Sequence, residues 1–110
     1  MKSIEHRRSP RKQANLLASF SRIEAGYMTN AGYGRALNLS EAGALIELPD
    51  PMSPGQQCRF TLLLDYGHNV QLEGRVVRVI PEANGLYQVG VAFRNLTPED
   101  QYLLARQLAG

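Results

Sequence analysis

Most of the chain between residues 15 and 94 consists of short runs in which apolar and polar residues alternate. A period of two places successive side chains on opposite faces, so each run predicts a β-strand with one buried face. In the fourth run, for example, Cys58, Phe60 and Leu62 share a face. The predicted strands cover residues 15–23, 35–40, 44–48, 57–65, 70–80 and 86–94.

Turn and loop residues separate these runs. The stretch 49–55 is rich in proline and breaks regular structure, and the stretches 66–69 and 82–85 have the composition of hairpin turns. The Gly-rich stretch 26–34 is expected to be a long connection and not a strand. Six short strands at hairpin spacing predict an antiparallel sheet that closes into a small barrel.

The chain ends in a predicted helix. Thr97 is a good N-cap, Pro98 suits the first helical position, and Glu99 and Asp100 lie where the helix dipole favours anions. The apolar side of this helix is expected to hold Tyr102, Leu104, Ala105 and Leu108. We expect it to pack on the sheet or over one open end of the barrel.

Charge divides the chain into two parts. The net charge of +2 is small, but the first twelve residues hold five basic side chains against Glu5 alone, so the remainder is slightly acidic. A broad nucleic-acid-binding face on the barrel is therefore not expected. We predict a flexible basic arm over residues 1–13 and a barrel with its helix over residues 14–110.

The single cysteine, Cys58, permits no disulfide within the chain and is expected to be a small core residue. No apolar run approaches the ~20 residues of a membrane helix. Together these features favour a cytoplasmic protein without membrane insertion. The sequence has no phosphate-binding glycine loop, no catalytic set that its spacing reveals and no zinc-ligand spacing. We therefore expect no catalytic residue and no metal, and a binding module instead of an enzyme.

Two short motifs could bind an anionic ligand. In the arm, Arg7 and Arg11 are four residues apart, which places them on one side of a helix or of an extended segment. Two guanidinium groups on one side can fork onto phosphate oxygens or onto the O6 and N7 atoms of guanine. The Arg-x-x-x-Arg spacing alone is unspecific.

The second motif lies between the second and third predicted strands. Strand alternation puts Leu37 and Leu39 on one face, and Asn38 and Ser40 together on the outer face. Gly43 then allows a tight reversal and the close approach of another group. This motif alone is also unspecific.

The two motifs together, in this order around a first strand, resemble the PilZ domain family, whose pattern is Arg-x-x-x-Arg followed by Asp/Asn-x-Ser-x-x-Gly. The resemblance runs from about Arg7 to about Leu108 and includes the stretches 44–55, 74–79 and 90–93. It implies a mainly all-β fold, a six-stranded antiparallel β-barrel of PilZ type with a C-terminal α-helix. It also implies binding of cyclic di-GMP, a bacterial second messenger with two guanines and two phosphodiesters, as a ligand and not as a cofactor.

Carried over by position, the resemblance assigns five motif residues, and Arg8 is added because its charge suits a phosphate. The expected ligand-binding residues are Arg7, Arg8, Arg11, Asn38, Ser40 and Gly43. His6 stands where some relatives carry arginine, so the choice between one nucleotide and an intercalated pair stays open. Also open is whether the ligand touches Tyr27, Tyr33, Arg75 or Arg78.

The expected function is that of a cyclic di-GMP receptor or adaptor. Ligand binding would change the arm and its surface and relay the signal to an unidentified effector protein in motility, biofilm or exopolysaccharide control. One alternative is an adaptor of the same fold that binds no nucleotide. Another is a small nucleic-acid-binding barrel, which the slightly acidic remainder of the chain disfavours; no nucleic acid polymer is expected as a partner.

Overall fold

The computed structural model describes residues 12–109, apart from the side chains of residues 30 and 31. The elements are β1 (Lys12–Glu24), β2 (Tyr27–Leu39), β3 (Gly43–Leu48), β4 (Gln57–Leu63), β5 (Asn69–Pro81), β6 (Tyr87–Arg94) and α1 (Pro98–Ala109). All neighbouring strands are antiparallel, and the order β1-β2-β3-β6-β5-β4 closes because β4 pairs with β1. The predicted six-stranded barrel with a C-terminal helix is confirmed.

The barrel interior is filled by the apolar faces that the alternation predicted. Phe20 of β1 and Phe60 of β4 lie opposite each other where the barrel closes, and both are buried. Full burial of one such side chain contributes about 1.5–3 kcal/mol. Cys58 belongs to the same core, as predicted, and burial raises the pKa of its thiol to about 12.

The prediction of a long connection over residues 26–34 is wrong, because β2 runs through this stretch and pairs with β1 along its length. Gly26 lies in the β1–β2 turn, whereas Gly32 and Gly34 lie within β2. A β-carbon on Gly34 would collide with the backbone carbonyl of Glu47, and Gly32, with a φ of 124°, accompanies a shift in the β1–β2 register. Tyr27 and Tyr33 consequently lie on a strand and are largely exposed.

Helix α1 begins as the sequence predicted. The Thr97 N–H donates to Oδ2 of Asp100 at 3.1 Å, and the Asp100 N–H donates to Oγ1 of Thr97 at 3.0 Å. This reciprocal pair satisfies backbone donors that a helix start leaves unpaired.

The predicted apolar face of α1 is wrong in part. Leu104 is fully buried and Leu108 partly, but Tyr102 is 63% exposed and Ala105 is also exposed. Each residue turns a helix by about 100°, so Tyr102 lies about 200° from Leu104 and faces away from the barrel. Leu103 takes its place against the core.

One end of the barrel, which we call the helix end, gathers the start of β1, the end of β2, the β4–β5 turn and α1. Lys12 pairs with Leu39, and its Nζ donates to the backbone oxygen of Leu108 at 2.9 Å. In the β4–β5 turn, Asp65 exchanges two hydrogen bonds with Gln107 of α1. The helix therefore closes over this end. No helix within residues 12–109 is long and apolar enough to cross a membrane.

Candidate ligand-binding site

The reversal between β2 and β3 is held together by the Ser40 hydroxyl. Its oxygen accepts the backbone N–H groups of Ala42 and Gly43, each at 3.1 Å. The hydroxyl donates in turn to the Gly43 carbonyl at 3.3 Å, and the Ser40 N–H donates to the same carbonyl at 2.9 Å. A hydroxyl has one donor and two acceptor sites, so this one is fully used within the turn.

A β-bulge decides which way the side chains of this motif face. Between Ala36 and Asn38 the β2–β3 register shifts by one residue, which makes Leu37 the extra residue. Ala36 and Leu39 consequently both reach the core, although an odd spacing separates them. The strand then ends, and Ser40 turns into the reversal with 4% of its surface exposed. The prediction that Leu37 and Leu39 share a face is therefore wrong, and so is that of an outward-facing Ser40.

Asn38 does lie on the outer face of the barrel. It is half-buried and pairs across the sheet with Gln13 of β1 and Leu45 of β3. Leu45 stands between the buried residues Ala44 and Ile46, so it points away from the core, and directly paired residues share a face.

Gly43 is required by the neighbouring strand. A β-carbon at this position would collide with the backbone carbonyl oxygen of Val91 in β6. The Phe93 N–H also donates to the Ala42 oxygen at 2.8 Å, which ties the reversal to the end of β6. The close approach expected at this glycine is therefore made by the barrel itself. Direct contact of Ser40 or Gly43 with a ligand stays a prediction.

The chain enters the barrel beside this turn. Lys12 and Gln13 pair with Leu39 and Asn38, although these two residues fall within the predicted arm. Arg7, Arg8 and Arg11 lie outside the described residues, so their contacts also stay predictions. Arg11 is nevertheless bonded directly to Lys12, and at no more than ~3.6 Å per residue Arg7 lies within about 18 Å of Lys12.

A row of outer-face residues continues from Asn38 across the sheet. The pairs Asn38–Leu45, Leu45–Gly90 and Gly90–Arg78 connect β2, β3, β6 and β5, and we call these four residues the outer row. Arg78 covers Gly90, since a β-carbon on that glycine would lie 3.1 Å from Cγ and 3.4 Å from Nε of Arg78.

The four residues left open by the sequence are now placed. Tyr27 lies at the opposite end of the barrel from the turn, and Tyr33 faces outward opposite Ser19 of β1. Arg75 directs its Nη2 toward Gly55, where a β-carbon would lie 3.9 Å away. Only Arg78 belongs to the outer row.

Sequence reasoning could not have placed Arg78. Strand alternation puts Arg75 and Arg78, three residues apart, on opposite faces. A register shift between Val76 and Arg78 adds one residue to β5, so both arginines are exposed.

The helix end also contains a cavity of about 100 Å³, lined in part by Gln13, Leu39 and Leu108. Small-molecule pockets usually measure about 300–1,000 Å³, so this cavity is too small for a dinucleotide. A ligand of that size at the β2–β3 turn would lie on the outer face.

These features define a closed antiparallel barrel in which the first strand begins beside the β2–β3 turn. The PilZ domain family matches residues 5–110, and the chain belongs to this family. Comparison with curated proteins finds no match.

Solved structures share the fold. The Bacillus subtilis inhibitor of motility (MotI/DgrA) has a TM-score of 0.73 and 21% identity over 99% of this chain and 54% of its own. Escherichia coli YcgR in complex with c-di-GMP has a TM-score of 0.74 and 16% identity over 94% of this chain and 45% of its own. The PilZ domain of CeSA from a cellulose-synthesising bacterium has a TM-score of 0.64 and 19% identity over 93% of this chain and 97% of its own. The chain thus spans about half the length of the first two.

Proposed function

We propose that this chain is a non-enzymatic cytoplasmic receptor domain for cyclic di-GMP. The observation that carries the proposal is the pairing of Lys12 and Gln13 with Leu39 and Asn38. It brings the backbone that leads to Arg11 directly to the β2–β3 turn. The family membership and the complex of YcgR with c-di-GMP support the same ligand.

In this proposal the two motifs have different chemical roles. Arg7, Arg8 and Arg11 supply guanidinium groups, which fork onto phosphate oxygens and guanine edges. The Asn38 amide oxygen accepts guanine N–H groups on the outer face. Ser40 and Gly43 act mainly by setting the shape of the turn that presents Asn38.

The direct test is calorimetric titration of the full chain with cyclic di-GMP. We expect micromolar or tighter binding, which Arg11→Ala weakens at least about tenfold because charge-assisted hydrogen bonds are lost. Arg75→Ala is the matched control, since it removes an exposed arginine whose Nη2 lies toward Gly55 and which is outside the outer row. Absence of heat from a folded sample at millimolar nucleotide would refute the proposal.

We further propose that the signal leaves the domain through the helix end. The Lys12 Nζ donates to the Leu108 carbonyl, so Lys12, which falls at the end of the predicted arm, also holds the last turn of α1. An arm that moves on binding ligand would change this surface and what an effector protein meets there. Amide chemical shifts should then change in α1 as well as in residues 6–12 and 38–43. Shifts confined to the arm and the turn would exclude this route.

A nucleotide-independent adaptor is the second candidate, and the turn supplies the observation that favours it. Ser40 is fully bonded within the turn and Gly43 is needed by β6, so the barrel requires both without any ligand. Their presence alone therefore does not indicate nucleotide binding. The arginines of the arm lie outside the described residues, and the Arg11→Ala titration separates the two functions.

A further inference from the structure

We propose that Arg78 is an additional ligand-contacting residue that holds the part of cyclic di-GMP farthest from the arm. The inference rests on the proposed function and extends the site beyond its two sequence motifs. Arg78 belongs to β5, three strands away from Asn38 in the barrel, and reaches the site across β6.

The outer row provides the geometry. Neighbouring strands are about 4.8 Å apart, so the backbone of Gly90 lies roughly 10 Å from that of Asn38 along the row. The Cγ and Nε atoms of Arg78 lie directly over Gly90 of β6. The Arg78 side chain therefore extends from β5 across the outer face of β6. Glycine at position 90 makes this possible, because a β-carbon there would be crowded by the arginine side chain.

Arg78 has the chemistry to bind a ligand. It is exposed, and no carboxylate within residues 12–109 forms an ion pair or hydrogen bond with it. Arg22 and Arg59, by contrast, each pair with an acid of a neighbouring segment. Beside Arg78, Val77 is 56% exposed and also borders Gly90, so an apolar surface for a base lies next to the cation.

Cyclic di-GMP has two guanines and two phosphates. If the two sequence motifs bind one guanine and one phosphate, the other guanine and phosphate need contacts elsewhere on the barrel. Arg78 lies at the distal end of the row that starts at Asn38. Its planar fork suits either remaining group, since a phosphate and the guanine O6/N7 edge both offer paired acceptors.

The experiment is calorimetric titration of the full chain and three variants with cyclic di-GMP. Arg78→Gln keeps an aliphatic stem over Gly90 and removes the charge. Arg75→Gln is the matched control on the same strand. We expect Arg78→Gln to weaken binding about tenfold and Arg75→Gln to change it less than twofold.

Arg78→Lys distinguishes the two possible contacts. Lysine keeps a positive charge but cannot donate two parallel hydrogen bonds. If Arg78 contacts a phosphate, Arg78→Lys should retain part of the affinity for cyclic di-GMP. If Arg78 contacts a guanine edge, Arg78→Lys should lose as much affinity as Arg78→Gln. Equal affinities of Arg78→Gln and the unmodified chain would overturn the inference while leaving the proposed function intact. If the unmodified chain itself binds no nucleotide, the proposed function fails and the inference with it.

Discussion

The hydrogen bonds of Ser40 yield a quantitative prediction for Ser40→Ala. The substitution removes one oxygen that accepts two backbone N–H groups. The substitution also removes the hydrogen bond that the Ser40 hydroxyl donates to the Gly43 carbonyl. That carbonyl still accepts the backbone N–H of Ser40, so it is not left unpaired. The cost therefore comes from the two donors.

These donors differ in their access to water. Ala42 is exposed, so its N–H can be hydrated, whereas Gly43 is buried at the start of β3, where it pairs with Ala92 of β6. A buried donor left without a partner costs about 1–3 kcal/mol, and we expect the free energy of unfolding to fall by this amount. For a domain of this size the melting temperature falls by roughly 4–8 °C per kcal/mol.

Urea denaturation of the full chain, followed by far-UV circular dichroism, measures the change. Ser53→Ala is the matched control, because Ser53 is an exposed loop residue whose side chain makes no hydrogen bond within residues 12–109. We expect the control to change the free energy of unfolding by less than about 0.5 kcal/mol. If Ser40→Ala is as stable as the control, the hydroxyl does not hold the turn and the reasoning is wrong.

Three further predictions concern the barrel. Gly43→Ala should lower the free energy of unfolding by about 1–3 kcal/mol because its β-carbon meets the Val91 carbonyl, and an unchanged urea midpoint would contradict this. Hydrogen bonding by the Glu82 side chain raises the pKa of Glu47 above 4.5, so the Glu47 carboxyl binds its proton more tightly in the native than in the unfolded state. The stability that this protonated carboxyl contributes is lost as pH rises through the raised pKa. The change in the free energy of unfolding caused by Glu47→Gln should therefore be more favourable at pH 7 than at pH 3.5. Urea titrations that show a more favourable change at pH 3.5 would contradict the direction of this pKa shift. Cys58, whose pKa is raised to about 12, should resist a disulfide reagent at pH 8 until urea unfolds the chain; rapid labelling of the native protein would show that the core is open.

The strands that could be predicted from the sequence are those with uninterrupted alternation. In β3 and β4 every second residue is buried, and local pattern was sufficient to assign both. The first half of β2 was missed because Gly32 and Gly34 have the composition of a loop. The reason for Gly34 is its contact with Glu47 on another strand, which a local pattern does not reveal.

The motif was correctly predicted to lie between two strands, now β2 and β3, but the hydrogen bonds of the turn were not predicted. The family motif identified the β2–β3 turn, yet period-two alternation failed there because a bulge precedes Asn38. A second bulge near Val77 hid the common face of Arg75 and Arg78 in the same way. An inserted residue reverses every later side chain on a strand, so bulges near a site limit what alternation can predict.

The internal bonding of the turn implies that its two kinds of motif residue should respond differently to substitution. Ser40 uses its hydroxyl within the barrel, so a loss of nucleotide affinity on its removal should accompany a loss of stability. The Arg11 side chain is proposed to act on the ligand alone, so its removal should weaken binding and leave the urea midpoint unchanged. Comparing affinity with stability for the two variants thus separates a residue that shapes the site from one that contacts the ligand. Because the turn is already formed by its own hydrogen bonds, ligand binding costs no free energy to order it. The free-energy cost of ordering then falls on the proposed arm, and the arginine contacts must offset that cost.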